Sequence, residues 1–277
     1  MPRCSGGWPE HIDTGFALDA AGVCPQRRAM FPIRDHNPSG RTPYVVYALI
    51  AINVLVFLAN LGGFESYSAM SRFYYNWTLI PARIEAGSGY HTLLTSMFLH
   101  DGLLHIGGNM LFLWIFGDNL EDRMGHALFL GFYMASGMGA GLIHVLTAPG
   151  STVPTLGASG AIAGVLGGYL LLYPRARVDV LIILIVFIRI FPMPAWVMLA
   201  FWFALQAISG LGSNPDAGGV AYWAHTGGFA VGFLLTVPLW LRLGGPAFWR
   251  IPLGERVGAG SGDPSSSPTR IPRVPRR

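Results

Sequence analysis

The chain contains no lysine and little charge of either sign. Of its 277 residues, 12% are charged and 52% are hydrophobic, and all 18 basic residues are arginine. Soluble domains carry about 25% charged residues and interrupt their apolar runs every few positions. Here several uncharged runs approach the ~20 residues that cross a bilayer as a helix. The composition therefore indicates a membrane protein with several spanning helices.

The chain also lacks the cysteine and histidine patterns of a disulfide or metal framework. Its two cysteines, Cys4 and Cys24, both precede the first apolar run, and neither belongs to a metal-binding spacing. The absence of a His-Glu-x-x-His sequence argues against an intramembrane metalloprotease. We therefore expect no metal and no cofactor. The net charge of +4 is explained by arginines that flank apolar segments, so we expect no nucleic-acid partner.

The two ends of the chain differ in composition from its middle. Residues 1–42 contain scattered acidic residues and no apolar core of the kind found in a secretory signal, so the first span is expected to be retained. We predict that 1–42 is a cytoplasmic segment. Residues 244–277 are rich in glycine, serine, proline and arginine, which predicts a disordered cytoplasmic tail.

Six apolar segments predict membrane spans. They cover about 43–61, 103–119, 127–147, 158–173, 193–211 and 221–243. Between the fourth and fifth, we interpret 180–190 as an interfacial or partly inserted segment, because Arg189, Pro192 and Pro194 break the apolar run there. A helix over 180–190 would be about 16 Å long, which is too short to cross the bilayer. The alternative is a seventh span.

The arginines divide unevenly between the two sides of this arrangement. With the N-terminus inside, fifteen arginines fall in inner segments and only Arg72 and Arg83 in outer loops, while Arg189 lies in the ambiguous stretch. An excess of arginine marks the cytoplasmic side, so both termini are predicted inside and a seventh full span is disfavoured. The first outer loop, 62–102, is long and aromatic, which indicates that it lies in the membrane interface.

Four polar side chains lie near the outer ends of three predicted spans that run in the same direction. His105 and Asn109 begin the second span, Ser159 begins the fourth and His225 begins the sixth. Polar groups inside a membrane are costly, so their shared depth favours a functional site. Glycines follow Ser159 and His225 at four-residue spacing, which allows the fourth and sixth helices to approach closely.

These residue types suit acyl transfer by a serine nucleophile. Neutral His225 can take the proton of the Ser159 hydroxyl, and His105 with Asn109, on one helix face, can donate hydrogen bonds to an oxyanion. No carboxylate is placed behind His225, because Asp101 precedes the second span and no acidic residue lies deep in the fourth or sixth. The sequence therefore predicts a Ser-His dyad.

Three motifs in this order resemble those of the rhomboid family of intramembrane serine proteases. Segment 100–109 resembles the family's His-x4-His-x3-Asn signature, and 157–160 resembles its nucleophile motif. Segment 224–232 resembles its Ala-His-x-x-Gly-x-x-x-Gly motif, and the likeness runs from about 30 to 243. The resemblance implies an all-α membrane protein, a six-helix rhomboid bundle at 43–243 with a long membrane-associated first outer loop.

The resemblance also implies an activity and a set of roles. Ser159 would be the nucleophile and His225 the general base, while His105 and Asn109 would stabilise the oxyanion. The implied partners are the lipid bilayer and single-span membrane proteins, which would enter between the second and fifth spans and be cut near the outer face. The likeness to bacterial members of the family suggests that the protein lies in the bacterial plasma membrane. It also suggests that translation starts at Met30, so that 1–29 would lie upstream of the natural start.

Two positions depart from the family pattern, and two other functions are open. Tyr90 and His91 stand where a Trp-Arg pair commonly braces the first outer loop, which puts that bracing in doubt. Ala163 stands where some members of the family have an aromatic ring beneath the catalytic histidine, so we expect helix packing alone to hold His225. One alternative is a catalytically silent relative that binds or escorts membrane-protein clients, although such relatives usually lack the serine or the histidine and both are present here. The other is a transporter or channel, which favours charges at mid-membrane, whereas here the polar residues lie near one face.

Overall fold

The computed structural model describes residues 29–37, 39–184, 187–214 and 218–251, and Cys4, Cys24 and most of the predicted tail lie outside them. The described residues are mainly helical, with one small sheet. The helices are α1 (Tyr44–Asn60), α2 (Tyr67–Trp77), α3 (Pro81–Glu85), α4 (Thr92–Thr95), α5 (Leu103–Met124), α6 (His126–Thr147), α7 (Ser159–Leu172), α8 (Ala195–Leu211) and α9 (Tyr222–Arg242). The strands are β1 (Ala29–Asp35), β2 (Arg177–Leu184) and β3 (Phe187–Pro194).

Helix α7 lies at the centre of the bundle. Almost all of its residues are buried, and it packs against α5, α6, α8 and α9. A helix that is apolar on every side requires such a surrounding shell. The site described below begins at the first residue of this helix, so the most enclosed element of the fold positions it.

Helices α7 and α9 touch through their backbones. A Cβ added to Gly228 would overlap the carbonyl oxygen of Gly160, and one added to Gly232 would overlap the backbone of Gly164. Only hydrogen fits at these positions, which is the reason that small residues repeat every four positions. The close approach predicted for the fourth and sixth apolar segments is confirmed.

The helices differ in their capacity to cross a membrane. Within the described part of the chain, α6 and α9 are both long and apolar enough to span a bilayer. Helices α1, α7 and α8 are also apolar but have only 17, 14 and 17 residues. Large apolar side chains are exposed along α1 and α8, as expected of surfaces that face lipid. The count of six spans stays a prediction.

A three-stranded antiparallel sheet corrects the all-α expectation. Strand β2 pairs with β3 along its whole length and with β1 on its other edge. Residues 180–190 were expected to form an interfacial or partly inserted segment, or a seventh span. The described residues of this range, 180–184 and 187–190, lie instead in the two paired strands, and α8 begins at Ala195 rather than near 193. Runs of valine, isoleucine and phenylalanine favour strands, and strand pairing satisfies the backbone groups of this segment.

Strand β1 is attached to the bundle through Asp35. The Asp35 carboxylate accepts hydrogen bonds from Asn119 Nδ2 at 2.9 Å and from the Tyr169 hydroxyl at 2.7 Å. Burial raises the pKa of Asp35 to about 7, and the nearby Asp118 carboxylate adds to the rise, while both hydrogen bonds oppose it. The sheet is thereby connected to α5 and α7.

A buried carboxylate caps the first helix. Glu121, on α5, is 1% exposed and accepts hydrogen bonds from the backbone nitrogens of Val45 and Val46, each at 2.8 Å. Its Oε1 also lies 2.5 Å from His126 Nδ1. The first N–H groups of a helix have no partner within the helix, so Glu121 supplies the acceptors that α1 needs.

The first outer loop is braced by arginine in spite of the Tyr90-His91 substitution. Arg83, on α3, donates to the Tyr75 carbonyl, and its guanidinium lies 4.5 Å from the centre of the Tyr75 ring. His91 Nε2 lies 2.8 Å from the Asn76 carbonyl oxygen. An arginine at another position in the loop thus contacts α2, while the position of the family's Trp-Arg pair carries His91, bonded to Asn76.

The C-terminal end of the fold extends past the predicted boundary at 243. Gly245–Arg250 forms a 3₁₀ turn in which Phe248 is 2% exposed. Trp249 Nε1 donates to the Leu171 carbonyl oxygen at 2.8 Å. The prediction of a disordered tail from 244 is wrong for this turn, because its two aromatic residues pack on the bundle. Residues 252–277 lie outside the described residues.

Candidate active site

Ser159 and His225 meet at the ends of the two helices that touch most closely. Ser159 is the first residue of α7, and His225 lies in the first turn of α9. The Ser159 Oγ is 2.8 Å from His225 Nε2, which is the distance of a good hydrogen bond. The backbone contact between α7 and α9 sets this separation. The predicted proximity of the two residues is confirmed, while their catalytic roles stay a prediction.

Two side chains of α8 hold the other side of the His225 ring. His225 Nδ1 lies 2.9 Å from Gln206 Oε1. The Trp202 ring is stacked on His225, with 6.1 Å between ring centres and 29° between planes. The expectation that helix packing alone holds His225 is therefore wrong. The aromatic contact that Ala163 cannot provide comes from a different helix.

Gln206 is the residue that sequence reasoning missed. It is the one amide side chain in the apolar helix α8, and such a polar group in a span is a signal of function. Four residues separate it from Trp202, so both side chains lie on one face of the helix. That face points at His225 only because of the rotation of α8 in the bundle, which the sequence pattern does not specify.

The carboxylate of this region serves His105 rather than His225. Asp101 Oδ1 lies 2.6 Å from His105 Nδ1, and this hydrogen bond is the main cause that lowers the pKa of Asp101. The ring of His100 lies edge-on to His105 at 5.0 Å between centres. Burial lowers the pKa of His100 to about 4, so His100 is uncharged at neutral pH.

The position that a side chain of residue 157 would occupy lies between His105 and Ser159. Gly157 has a φ of +126°, and a Cβ at this position would lie 2.7 Å from His105 Nε2 and 3.6 Å from Ser159 Oγ. A small atom placed there would contact both side chains. The backbone N–H groups in the first turn of α7 also lack partners within the helix. The geometry suits a position for a negatively charged oxygen.

Asn109 lies one turn beyond His105 and is buried, with 8% of its surface exposed. Its Nδ2 donates to the His105 carbonyl oxygen at 3.0 Å. The structure thus places Asn109 beneath His105, bonded to the backbone of its own helix. Its role in binding an oxyanion stays a prediction.

The remaining histidines of the bundle have structural partners. His144 Nε2 lies 2.9 Å from the Thr155 hydroxyl, near the outer end of α6. His126 contacts Glu121, as described above. In the part of the chain that the structure describes, no group of three or more histidine, cysteine or acidic residues is arranged to hold a metal ion.

Known proteins resemble this chain over its helical region. A family model described as the Rhomboid domain matches residues 87–242. Rhomboid protein 1, mitochondrial, of Saccharomyces cerevisiae is 32% identical over 194 residues, which cover 69% of this chain and 51% of the yeast protein. Rhomboid protease GluP of Bacillus subtilis is 33% identical over 130 residues, or 46% of this chain and 24% of that protein.

A third relative is the presenilin-associated rhomboid-like protein, mitochondrial, of Mus musculus, 30% identical over 148 residues, or 50% of this chain and 36% of its own length. The chain therefore spans about half or less of the length of these relatives. Because several of them are mitochondrial by name, they do not support the predicted bacterial plasma membrane.

The resemblance inferred from three short motifs thus agrees with an independent family match to residues 87–242. The family model covers more than half of the chain, and the yeast relative exceeds 30% identity over more than two thirds of it. Together with its long apolar helices, this likeness shows a membrane protein. The chain belongs to the rhomboid family.

Proposed function

We propose that this chain is an intramembrane serine endopeptidase that cleaves membrane-spanning segments of other proteins. The observation that carries the proposal is the 2.8 Å contact between Ser159 Oγ and His225 Nε2, next to the backbone N–H groups in the first turn of α7. A relative 33% identical to the chain over 130 residues is named a rhomboid protease, which supports the same reading.

The first half of the reaction follows from the positions of these groups. His225 Nε2 takes the proton of the Ser159 hydroxyl while Oγ attacks the carbonyl carbon of the scissile peptide. The carbonyl oxygen becomes negative beside Gly157, where the backbone N–H groups in the first turn of α7 can donate to it. His105 Nδ1 is hydrogen-bonded to the Asp101 carboxylate, so His105 Nε2 donates as well only when the ring carries both protons. One such donor is worth about 3–4 kcal/mol of barrier. His225 then gives its proton to the leaving amine.

The second half of the reaction releases the acyl group from Ser159. A water molecule loses a proton to His225 Nε2 and attacks the ester carbon, and the same position beside Gly157 receives the oxyanion. The proton passes to Ser159 Oγ as the ester bond breaks. This sequence needs only the serine, the histidine and the oxyanion donors, and no metal or cofactor takes part.

The proposed substrates are single-span membrane proteins, cut near the outer face of the bilayer. The support lies in the location of Ser159 and His225 in the first turns of α7 and α9, rather than at the middle of those helices. In the proposed arrangement six helices, α1, α5, α6, α7, α8 and α9, cross the membrane with both termini on the arginine-rich inner side.

The test is covalent labelling with a fluorophosphonate in detergent, followed by cleavage of a single-span substrate in proteoliposomes. The wild type should be labelled and active, and Ser159→Ala should be neither. Ser209→Ala, which removes a serine hydroxyl from α8, is the matched control and should behave as the wild type. Labelling that survives in Ser159→Ala would overturn the nucleophile assignment. A wild type that binds clients without labelling or cleavage would favour a silent escort protein.

A further inference from the structure

We propose that Gln206 is a positioning residue for His225, so that Ser159, His225 and Gln206 act as one hydrogen-bonded series. The inference rests on the proposed function and adds to it a third residue, supplied by α8. It replaces the dyad of the sequence prediction with an arrangement in which a neutral amide occupies the place that a carboxylate has in a Ser-His-Asp triad.

The hydrogen-bond chemistry of the two partners determines the tautomer of the imidazole. Gln206 Oε1 can only accept a hydrogen bond, so His225 Nδ1, 2.9 Å away, must carry the ring proton. A neutral imidazole has one N–H, and Nε2 is then left as a lone-pair acceptor facing Ser159 Oγ at 2.8 Å. With the opposite tautomer, Nε2 would present a hydrogen to the serine and could not take its proton.

The same helix also fixes the plane of the imidazole ring. Trp202, one turn before Gln206, stacks on His225 with 29° between the ring planes. The Trp202 ring restricts rotation of the His225 side chain, and the Gln206 oxygen determines which ring nitrogen carries the proton. Helix packing between α7 and α9 sets the distance between Ser159 and His225, whereas the contacts from α8 set the ring plane and the tautomer of His225.

A neutral partner suits this location in the protein. The surroundings of His225 are apolar helices, and a buried carboxylate without full compensation would be costly there. The described carboxylate of the region, Asp101, is already hydrogen-bonded to His105 Nδ1 at 2.6 Å. An amide oxygen orients the histidine without bringing a charge into the bundle.

The experiment compares Gln206→Met with Gln206→Glu, with Ser209→Ala as a control on the same helix. Methionine keeps the length of the side chain but has no strong acceptor for Nδ1, whereas glutamate retains one. We expect Gln206→Met to lower both the fluorophosphonate labelling rate of Ser159 and kcat by about tenfold, the effect of one ordinary hydrogen bond. KM and the thermal unfolding temperature should not change. Gln206→Glu should recover at least half of the lost rate.

The outcomes separate this inference from the proposed function. A wild type that is never labelled ends the proposed function, and the inference with it. A labelled wild type with an equal rate in Gln206→Met would overturn the positioning role alone. A rate loss in Gln206→Met that is matched by lower thermal stability, and that Gln206→Glu does not rescue, would also overturn it, since Gln206 would then be a packing residue.

Discussion

Replacement of Gly228 by alanine should move Ser159, on α7, away from His225, on α9. Gly228 lies on α9, one turn after His225, and a Cβ at this position would overlap the Gly160 carbonyl oxygen. That oxygen belongs to the backbone of the residue that follows Ser159, so it cannot move aside as a flexible side chain would. The collision is relieved only if α7 and α9 move apart at the depth of the site.

The size of the effect follows from the distances involved. A displacement of about 1 Å would lengthen the 2.8 Å contact between Ser159 Oγ and His225 Nε2 beyond the range of a hydrogen bond. Misplacement by that distance can cost about 100-fold in rate. Overpacking at a rigid position typically destabilises a protein by 1–3 kcal/mol, and contact with backbone places Gly228→Ala near the upper value, about 3 kcal/mol.

The matched control is Gly131→Ala on α6, where an added Cβ would meet nothing within 4 Å. It should keep the wild-type labelling rate and be neutral or slightly stabilising, since alanine is the better helix former. Both variants are compared by fluorophosphonate labelling rate and by thermal unfolding in the same detergent. A Gly228→Ala protein with wild-type labelling and wild-type unfolding temperature would refute the reasoning that backbone contact sets the Ser159–His225 distance.

Three further predictions concern the carboxylates. Asp101→Asn should lower the labelling rate about threefold to tenfold at unchanged stability, because a weaker acceptor holds His105; an unchanged rate would exclude this orienting role. Glu121→Gln should lower the free energy of unfolding by about 1–3 kcal/mol, because the glutamine NH₂ would face a backbone N–H of α1 that now donates to the carboxylate. The protein that remains folded should keep the wild-type labelling rate. Asp35, with a pKa raised from 3.8 to about 7, holds a proton in the folded state that the unfolded state releases. Stability should therefore fall as pH rises from 4 to 7, and Asp35→Asn should flatten that dependence in thermal unfolding.

The meeting of Ser159 and His225 could be predicted from the sequence because helix direction and depth depend on local patterns. Apolar length, arginine distribution and glycine spacing placed the two residues at the same level of adjacent helices, and the contact at 2.8 Å agrees. Each of these features is a property of a single segment, so none of them depends on how the helices are rotated relative to each other.

The sheet could not be predicted from the same patterns. Strand β1 pairs with a segment that lies far along the chain, with Pro32 opposite Val180 and Asp35 opposite Val178. An apolar run of that length is equally compatible with a helix or a strand until its partner is known. Gln206 was missed for a related reason, because its significance depends on which neighbour its helix face meets.

Helices α7 and α9 cannot slide or separate without breaking backbone contacts, whereas α8 buries few of its residues and exposes much of its apolar surface. A substrate would therefore be admitted by displacement of α8. That displacement would carry Gln206 and Trp202 away from His225, and the imidazole would lose its preferred tautomer. Under the proposed peptidase function, Ser159 would be unreactive while α8 is displaced and reactive once α8 returns, so a membrane protein that leaves before α8 returns would not be cut.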